Sequence, residues 1–269
     1  MKENNQEKAI PWERALEQGL AHLPLVLRCY DVTDSTNTRA KQFVLDGGRG
    51  AAVFVANSQT QGRGRRGRSF YSPEETGVYL SLLLPVKGSL SDAVLLTSGA
   101  AVATARAIWE CTRIQVGIKW VNDLYYRGRK VCGILAESFL WEGERYVILG
   151  VGINLNTVDF PHELKNIAGS LTEGADGDRV PLTACLIEHL YEMMTVWEPK
   201  DWMEEYRSRS TVIGQPVTYW IDGTEYRGQA VAIEDDGALL VICEDGRRER
   251  LTSGEITLRM TEKGGLAHE

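Results

Sequence analysis

The sequence predicts an α+β protein: a sheet-forming region carrying long helices, followed by a small all-β segment. Three observations carry this reading. Apolar runs of strand length at 51–56, 78–84, 114–118, 130–135 and 146–151 are bounded by glycine or polar turn residues. Stretches 91–111 and 182–197 instead place apolar residues at helical spacing. Beyond Arg209 the texture changes to short strands separated by Asp-Gly pairs.

Along the chain, the first element is a helix over 12–20. Asp34-Ser35-Thr36-Asn37 supplies N-cap chemistry for a helix that runs to about Leu45 and stops at Gly47-Gly48. Strand 51–56 delivers a loop, and 78–84 is its partner. In helix 91–111, Leu95, Val102, Ala105 and Ile108 share a face, and the many small residues suit close packing on a sheet. Run 114–118 is a strand ending in Lys119-Trp120-Val121-Asn122-Asp123-Leu124. Arg127-Gly128-Arg129 then turns the chain, and 130–135 returns. Strand 146–151 runs into Gly152-Ile153-Asn154-Leu155-Asn156. Helix 182–197 carries a core stripe of Leu186, Leu190, Met193 and Met194. Strands 217–221, 226–233, 238–243 and 248–251, separated by Asp222-Gly223, Asp236-Gly237 and Asp245-Gly246, predict a small antiparallel barrel.

The chemistry concentrates between the first two apolar runs. Residues 62–68 read Gly-Arg-Gly-Arg-Arg-Gly-Arg, four arginines and three glycines in an otherwise acidic chain. Glycine permits close backbone approach, and guanidinium forks match phosphate and carboxylate oxygens, so the loop is built for an anion. Gly62, Gly64 and Gly67 satisfy G-x-G-x-x-G, and 62–69 matches a P-loop except that Arg68 replaces lysine. Both motifs need a helix directly after the glycines. Ser69-Phe70-Tyr71-Ser72-Pro73 and Gly77 read instead as a turn before the next strand. A solvated basic loop or a nucleic-acid patch is the alternative for this segment alone. Lys119 to Asp123 weigh against it, because a cation, an aromatic, an amide and a carboxylate at a strand end are ligand-binding chemistry. Lys119 alone also fits a solvated strand-end lysine.

Composition narrows the field. The 269 residues suffice for one large core and a small second domain, with 43% hydrophobic and 25% charged residues. A net charge of −7 argues against general nucleic-acid affinity, since the one dense basic segment is a single loop. Five cysteines, at 29, 111, 132, 185 and 243, include no CxxC pair, which suits a reducing cytoplasm and gives no zinc-binding spacing. Four histidines without paired spacing give little support to a metal centre or a Ser-His-Asp triad. The polar N-terminus has no hydrophobic signal region, and no apolar run reaches the roughly 18 residues that span a bilayer. A cytoplasmic protein without membrane partners is expected. About thirty residues precede the first motif, too few for a helix-turn-helix reader, so no DNA-binding domain is expected.

Five ordered segments resemble the biotin protein ligases: Ser35-Thr36-Asn37, Gln59 to Arg68, Lys119 to Asp123, Lys130 with Gly133, and Gly150 to Asn154. Lipoate ligases and octanoyl transferases are the weaker comparison, lacking the arginine-rich loop. The resemblance implies a mixed-sheet catalytic domain over 29–209, an N-terminal extension over 1–28, and a small C-terminal Src-homology-3-like β-barrel over 210–269. It implies ATP and biotin as substrates, Mg²⁺, and a biotin carboxyl carrier protein as acceptor; a homodimer stays open. Ser35, Thr36, Asn37, Gln59, Gly62, Arg63, Gly64, Arg65, Lys130 and Gly133 match biotin-binding positions. Arg63, Arg65, Arg68, Phe70, Asn122, Lys130 and Asn154 match ATP-binding ones, with Phe70 where the family usually has tryptophan. Arg65, Lys130, Asp123 and Lys119 match catalytic positions, and Asp123 is either a metal ligand or a general base. Val121 stands where many relatives have proline, which leaves the Asn122-Asp123 turn less rigidly specified.

Overall fold

The computed structural model describes residues 12–86, 93–172, 178–221, 223–252 and 256–258. A seven-stranded sheet forms the body, built from β1 (Val26–Thr33), β2 (Ala52–Gln59), β3 (Gly77–Val86), β4 (Gly117–Lys119), β5 (Asp123–Tyr126), β6 (Arg129–Trp141) and β7 (Glu144–Asn154). Its order is β1-β2-β3-β7-β6-β5-β4. The sheet is mixed: β1 and β2 run parallel, and the remaining neighbours are antiparallel. Helices are α1 (Glu13–Gly19), α2 (Thr36–Leu45), α3 (Ala93–Thr112), α4 (Arg179–Thr195) and α5 (Pro199–Ser208). The C-terminal sheet is separate and antiparallel, in the order β11 (Arg248–Leu251), β10 (Leu239–Cys243), β9 (Thr224–Ile233), β8 (Pro216–Ile221), β12 (Ile256–Leu258).

Both faces of the large sheet are covered, and this explains why its strands read as continuous apolar runs. On β2, Val53 and Val55 join the main core, whereas Ala52 and Phe54 join a smaller one; on β7, Val147, Leu149 and Val151 face the first, and Tyr146 and Ile148 the second. Ala40 and Val44 of α2 close the smaller core. The fully buried Ala100, Ala101, Ala103, Ala105 and Ala107 belong to α3 and the main core. Close helix packing depends on glycine at one point, since a β-carbon at Gly99 would lie 2.9 Å from Met193 Sδ on α4 and 3.0 Å from the Trp202 ring on α5.

Several expectations need correction. Of the run 114–118, only the last two residues enter a strand, because β4 is a three-residue edge element. The strand expected at 130–135 extends to Trp141, where the positive-φ pair Glu142-Gly143 turns it into β7. Helix 182–197 begins earlier, where Asp178 caps it by accepting the Val180 N–H at 2.9 Å. β1, α5 and β12 were not anticipated. Residues 91 and 92 of the expected helix, and Asp222 of one expected turn, lie outside the described residues.

Candidate active site

A pocket opens on the α2 side of the sheet, where the apolar side chains give way. Two and four residues beyond Ile148, the same face of β7 carries Gly150 and Gly152. Register places Ser81 and Leu135 beside Gly150, and Tyr79 and Gly133 beside Gly152, with Asp123 opposite Gly133 on β5. A β-carbon at Gly150 would stand 2.1 Å from Asn37 Oδ1, and one at Gly152 would stand 2.5 Å from the Phe70 ring. Missing side chains thus let Asn37 and Phe70 settle onto the sheet.

At the Asn37 end a buried polar network has formed. Gln59 pairs with Thr33 where β1 ends, so its amide reaches the start of α2. There Gln59 Oε1 accepts from the Thr36 backbone N–H at 2.9 Å and from Thr36 Oγ1 at 3.2 Å. This corrects the capping expectation: Ser35 occupies the N-cap position but makes no side-chain cap bond. Asn37 Nδ2 donates to Glu137 Oε2 at 2.8 Å, and Glu137 Oε1 accepts from Arg63 at 2.8 Å. Ser81 Oγ lies 2.6 Å from Asn37 Oδ1 and 2.7 Å from Thr36 Oγ1. Ser35, Thr36, Asn37 and Ser81 are all buried. Such a network fixes each amide in one orientation.

The arginine loop crosses between the two ends as a tight hairpin. The Phe70 N–H donates to the Gly62 carbonyl at 2.8 Å, and the Gly64 N–H to the Arg68 carbonyl at 2.7 Å. The turn is one short 3-10 segment, Arg65–Gly67, with Arg66 at φ 55° and Gly67 at φ 73°. The chain then runs to β3 without a helix, so neither generic phosphate-loop geometry forms. Arg65 donates to Asn122 Oδ1 at 3.2 Å, while Asn122 Nδ2 holds the Ile134 carbonyl at 2.9 Å.

At the second end, Lys130 Nζ approaches Asp123 Oδ1 to 2.7 Å, as an ion pair without hydrogen-bond alignment. Lys119 Nζ sits 5.5 Å from the Tyr125 ring centroid. Phe70 packs edge-on to Tyr79 at 6.4 Å. The Trp120–Val121 peptide is cis. Trp120 Nε1 donates to the Gly237 carbonyl of the C-terminal sheet's β9–β10 turn at 2.9 Å, and Tyr206 of α5 donates to the Val121 carbonyl at 3.0 Å. Burial pushes the Tyr206 hydroxyl well above the usual phenol range, so it stays a proton donor.

The structure brings most of the expected residues together. Ser35, Thr36, Asn37, Gln59, Arg63, Gly64, Arg65, Arg68, Phe70, Lys119, Asn122, Asp123, Lys130 and Gly133 line one pocket. Gly62 and Asn154 are not among its lining residues. Gly62 shapes the hairpin, where a β-carbon would meet the Phe70 carbonyl at 2.3 Å. Asn154, buried at the end of β7, donates to the Gly169 carbonyl at 3.1 Å, and its Oδ1 has no hydrogen-bond partner among the described residues. Sequence reasoning missed Ser81 and Glu137, which orient Asn37, and Ile256 of β12, which lines the pocket from the C-terminal sheet. A lone serine within the apolar run 78–84 was a usable signal for the first; nothing local marked the other two.

Six cations, Arg63, Arg65, Arg66, Arg68, Lys119 and Lys130, face one lining carboxylate, Asp123. That charge suits a polyanion. It does not make a protein cage for Mg²⁺, but an ion that takes phosphate oxygens, waters and one carboxylate fits Asp123.

A mixed sheet with a cation-lined cleft beside a fixed amide network defines a protein that holds an anion next to a small polar molecule. The chain matches the Biotin/lipoate A/B protein ligase family over residues 29–154 and the Biotin protein ligase C terminal domain over 212–259. It is 36% identical to the bifunctional ligase/repressor BirA of Bacillus subtilis, over 85% of this chain and 73% of that protein. With the biotin–[acetyl-CoA-carboxylase] ligase of Mycobacterium tuberculosis it shares 30% identity over 91% and 94% of the two chains. The biotin protein ligase of Aquifex aeolicus, solved in complex with biotin and ATP, superposes with a TM-score of 0.76 at 29% identity, over 88% of this chain and 99% of that one. The chain belongs to the biotin/lipoate A/B protein ligase family, on its biotin protein ligase branch.

Proposed function

We propose that the protein joins biotin to an acceptor lysine in two steps, using ATP. The observation that carries this reading is one pocket with two chemically distinct ends, the Asn37 network and the cation cluster around Lys130. In the first step a biotin carboxylate oxygen bonds to the α-phosphorus of ATP, and the bond to the β-phosphoryl oxygen breaks, releasing pyrophosphate. In the second, the lysine nitrogen bonds to the acyl carbon, the anhydride C–O bond breaks, AMP leaves, and the amine gives up a proton.

Each end has a role. Ser35, Thr36, Asn37 and Gln59 bind the polar head of biotin, with Leu80, Ile134 and Val151 offering apolar lining. Arg63, Arg65 and Arg68 offset repulsion between carboxylate and phosphate and stabilise charge that grows on the α-phosphoryl oxygens. Phe70 offers its ring to the adenine, and Gly133 leaves room beside it. Lys130 moves from Asp123 to the carboxylate and the bridging oxygen; its departure leaves Asp123 to receive the acceptor ammonium, whose ordinary pKa of about 10.4 requires loss of a proton before attack. Lys119 adds positive potential at the same end. Asp123 is the carboxylate that would hold Mg²⁺ brought in on the phosphates during the first step, and the ion would supply neutralisation of the pyrophosphate charge.

The polypeptide divides on this reading into a catalytic unit over 29–209 and a C-terminal unit over 210–269, coupled through Trp120 and Ile256. The acceptor is a biotin carboxyl carrier protein or domain. Incubating the protein with labelled biotin, ATP and a carboxyl carrier domain tests the proposal: ATP-dependent labelling of one lysine is expected, and unlabelled acceptor under these conditions would refute it.

A further inference from the structure

A cluster far from the pocket has the composition of a metal centre. Cys185 and His189 stand one turn apart on α4, and Glu110 and Cys111 end α3 beside them. The candidate ligand atoms of Glu110, Cys185 and His189 all lie within 4.8 Å of one another. His189 Nε2 and Glu110 Oε2 are 3.2 Å apart, close to the separation of about 3.3 Å that two such ligands have on one tetrahedral ion. The other ring nitrogen, Nδ1, is buried without a hydrogen-bond partner among the described residues.

From this geometry we infer that Glu110, Cys185 and His189 bind a divalent, thiophilic cation of the Zn²⁺ class, clamping α3 to α4. A thiolate, an imidazole and a carboxylate form the borderline-soft donor set that zinc prefers over magnesium or calcium, with the fourth position left for water. Cys185 and His189 are already mostly shielded, whereas Glu110 is exposed and can rotate to close the last ångström. The clamp is remote from the pocket: Val94, near the other end of α3, packs against Gly237, and sixteen residues of helix separate it from Glu110 by roughly 24 Å. The ion is structural. Single-sequence spacing hid the cluster because its halves, Glu110 and Cys185, are 75 positions apart.

The test uses the full chain, reduced, stripped with a chelator and free of nucleotide. Titration with Co²⁺ alone is expected to saturate at one equivalent with a thiolate-to-cobalt absorption band, and Zn²⁺ to displace the cobalt. His189→Gln should weaken binding by at least the roughly 10–100-fold that loss of even an outer hydrogen-bond partner costs, and Cys185→Ser should abolish the band. Zn²⁺ at about 100 times its Kd should raise the parent Tm by roughly 5–10 °C, and that of His189→Gln at the same concentration by much less. Absence of a thiolate band in the reduced parent, or equal affinity in the parent, His189→Gln and the surface variant Glu110→Gln, would overturn the inference. Because the readouts are spectroscopic and thermal, they stand apart from ligase activity.

Discussion

Gly150 and Gly152 should separate the two ends of the pocket. Alanine at position 150 would place a methyl group 2.1 Å from Asn37 Oδ1 and 2.9 Å from its Cγ. Asn37 cannot yield freely, because Ser81 and Glu137 hold its amide at 2.6 and 2.8 Å and the residue is buried. The amide must turn away and lose both partners. Overpacking of this kind costs about 1–3 kcal/mol, which corresponds to a roughly 5- to 150-fold rise in the KM for biotin. Alanine at 152 would strike the Phe70 ring at 2.5 Å instead, so the same order of effect should fall on the KM for ATP. The assay is initial-rate pyrophosphate exchange with one substrate varied and the other saturating, and thermal unfolding run alongside identifies variants whose folding has suffered. The reasoning is wrong if folded Gly150→Ala keeps its biotin KM within about twofold of the parent, or if both variants raise both constants alike.

Three further outcomes follow from the same geometry. Arg65→Gly removes the contact with Asn122 and one cation of the pocket, so on the proposed mechanism the mixed anhydride should escape and label lysines of a bystander protein; labelling confined to the acceptor domain would contradict this. Lys130→Ala removes the ammonium paired with Asp123, and on the proposed mechanism single-turnover adenylate formation should slow by roughly 10²–10³-fold with biotin still bound; an unchanged rate would remove Lys130 from the chemistry. Glu205→Gln tests a joint away from the site. Burial raises the Glu205 pKa, but hydrogen bonds from Arg106 and Arg209 outweigh it, and the net pKa lies below the usual value. Its stabilisation is therefore fully present above the unfolded carboxylate pKa of about 4.3 and is lost as pH falls through the lower folded value. Urea unfolding should show a loss of roughly 1.5–3 kcal/mol at pH 7 that shrinks below about pH 4; a loss independent of pH would exclude the ion pairs as its source.

The parts of the site legible in the sequence are those whose chemistry is contiguous. Residues 62–68 announce anion binding because glycine and arginine alternate there, and Lys119 to Asp123 announce a ligand because four functional groups crowd one strand end. What stayed hidden depends on register. Gly150 and Gly152 become a pocket floor only when β7 is set between β3 and β6, and Glu137 matters only because the same face of β6 meets Asn37. The capping of α2 was misread for a similar reason: local preference favours Ser35, but the parallel β1–β2 pair delivers Gln59 to the same N–H groups. β1 escapes a sequence reading because its residues alternate irregularly between buried and half-exposed at a sheet edge, and α5 because it is a short, mostly charged stretch whose buried face is marked by Trp202, Met203 and Tyr206 within little more than one turn.

ATP–pyrophosphate exchange by the purified protein, run with biotin, lipoate, octanoate or no acid, decides whether this pocket activates the carboxylate of biotin. Exchange that requires biotin and is not supported by the two fatty acids is the predicted result. Exchange driven by lipoate or octanoate would place the activity on the sister branch of the family, and a lack of exchange with every acid would contradict carboxylate activation in this pocket.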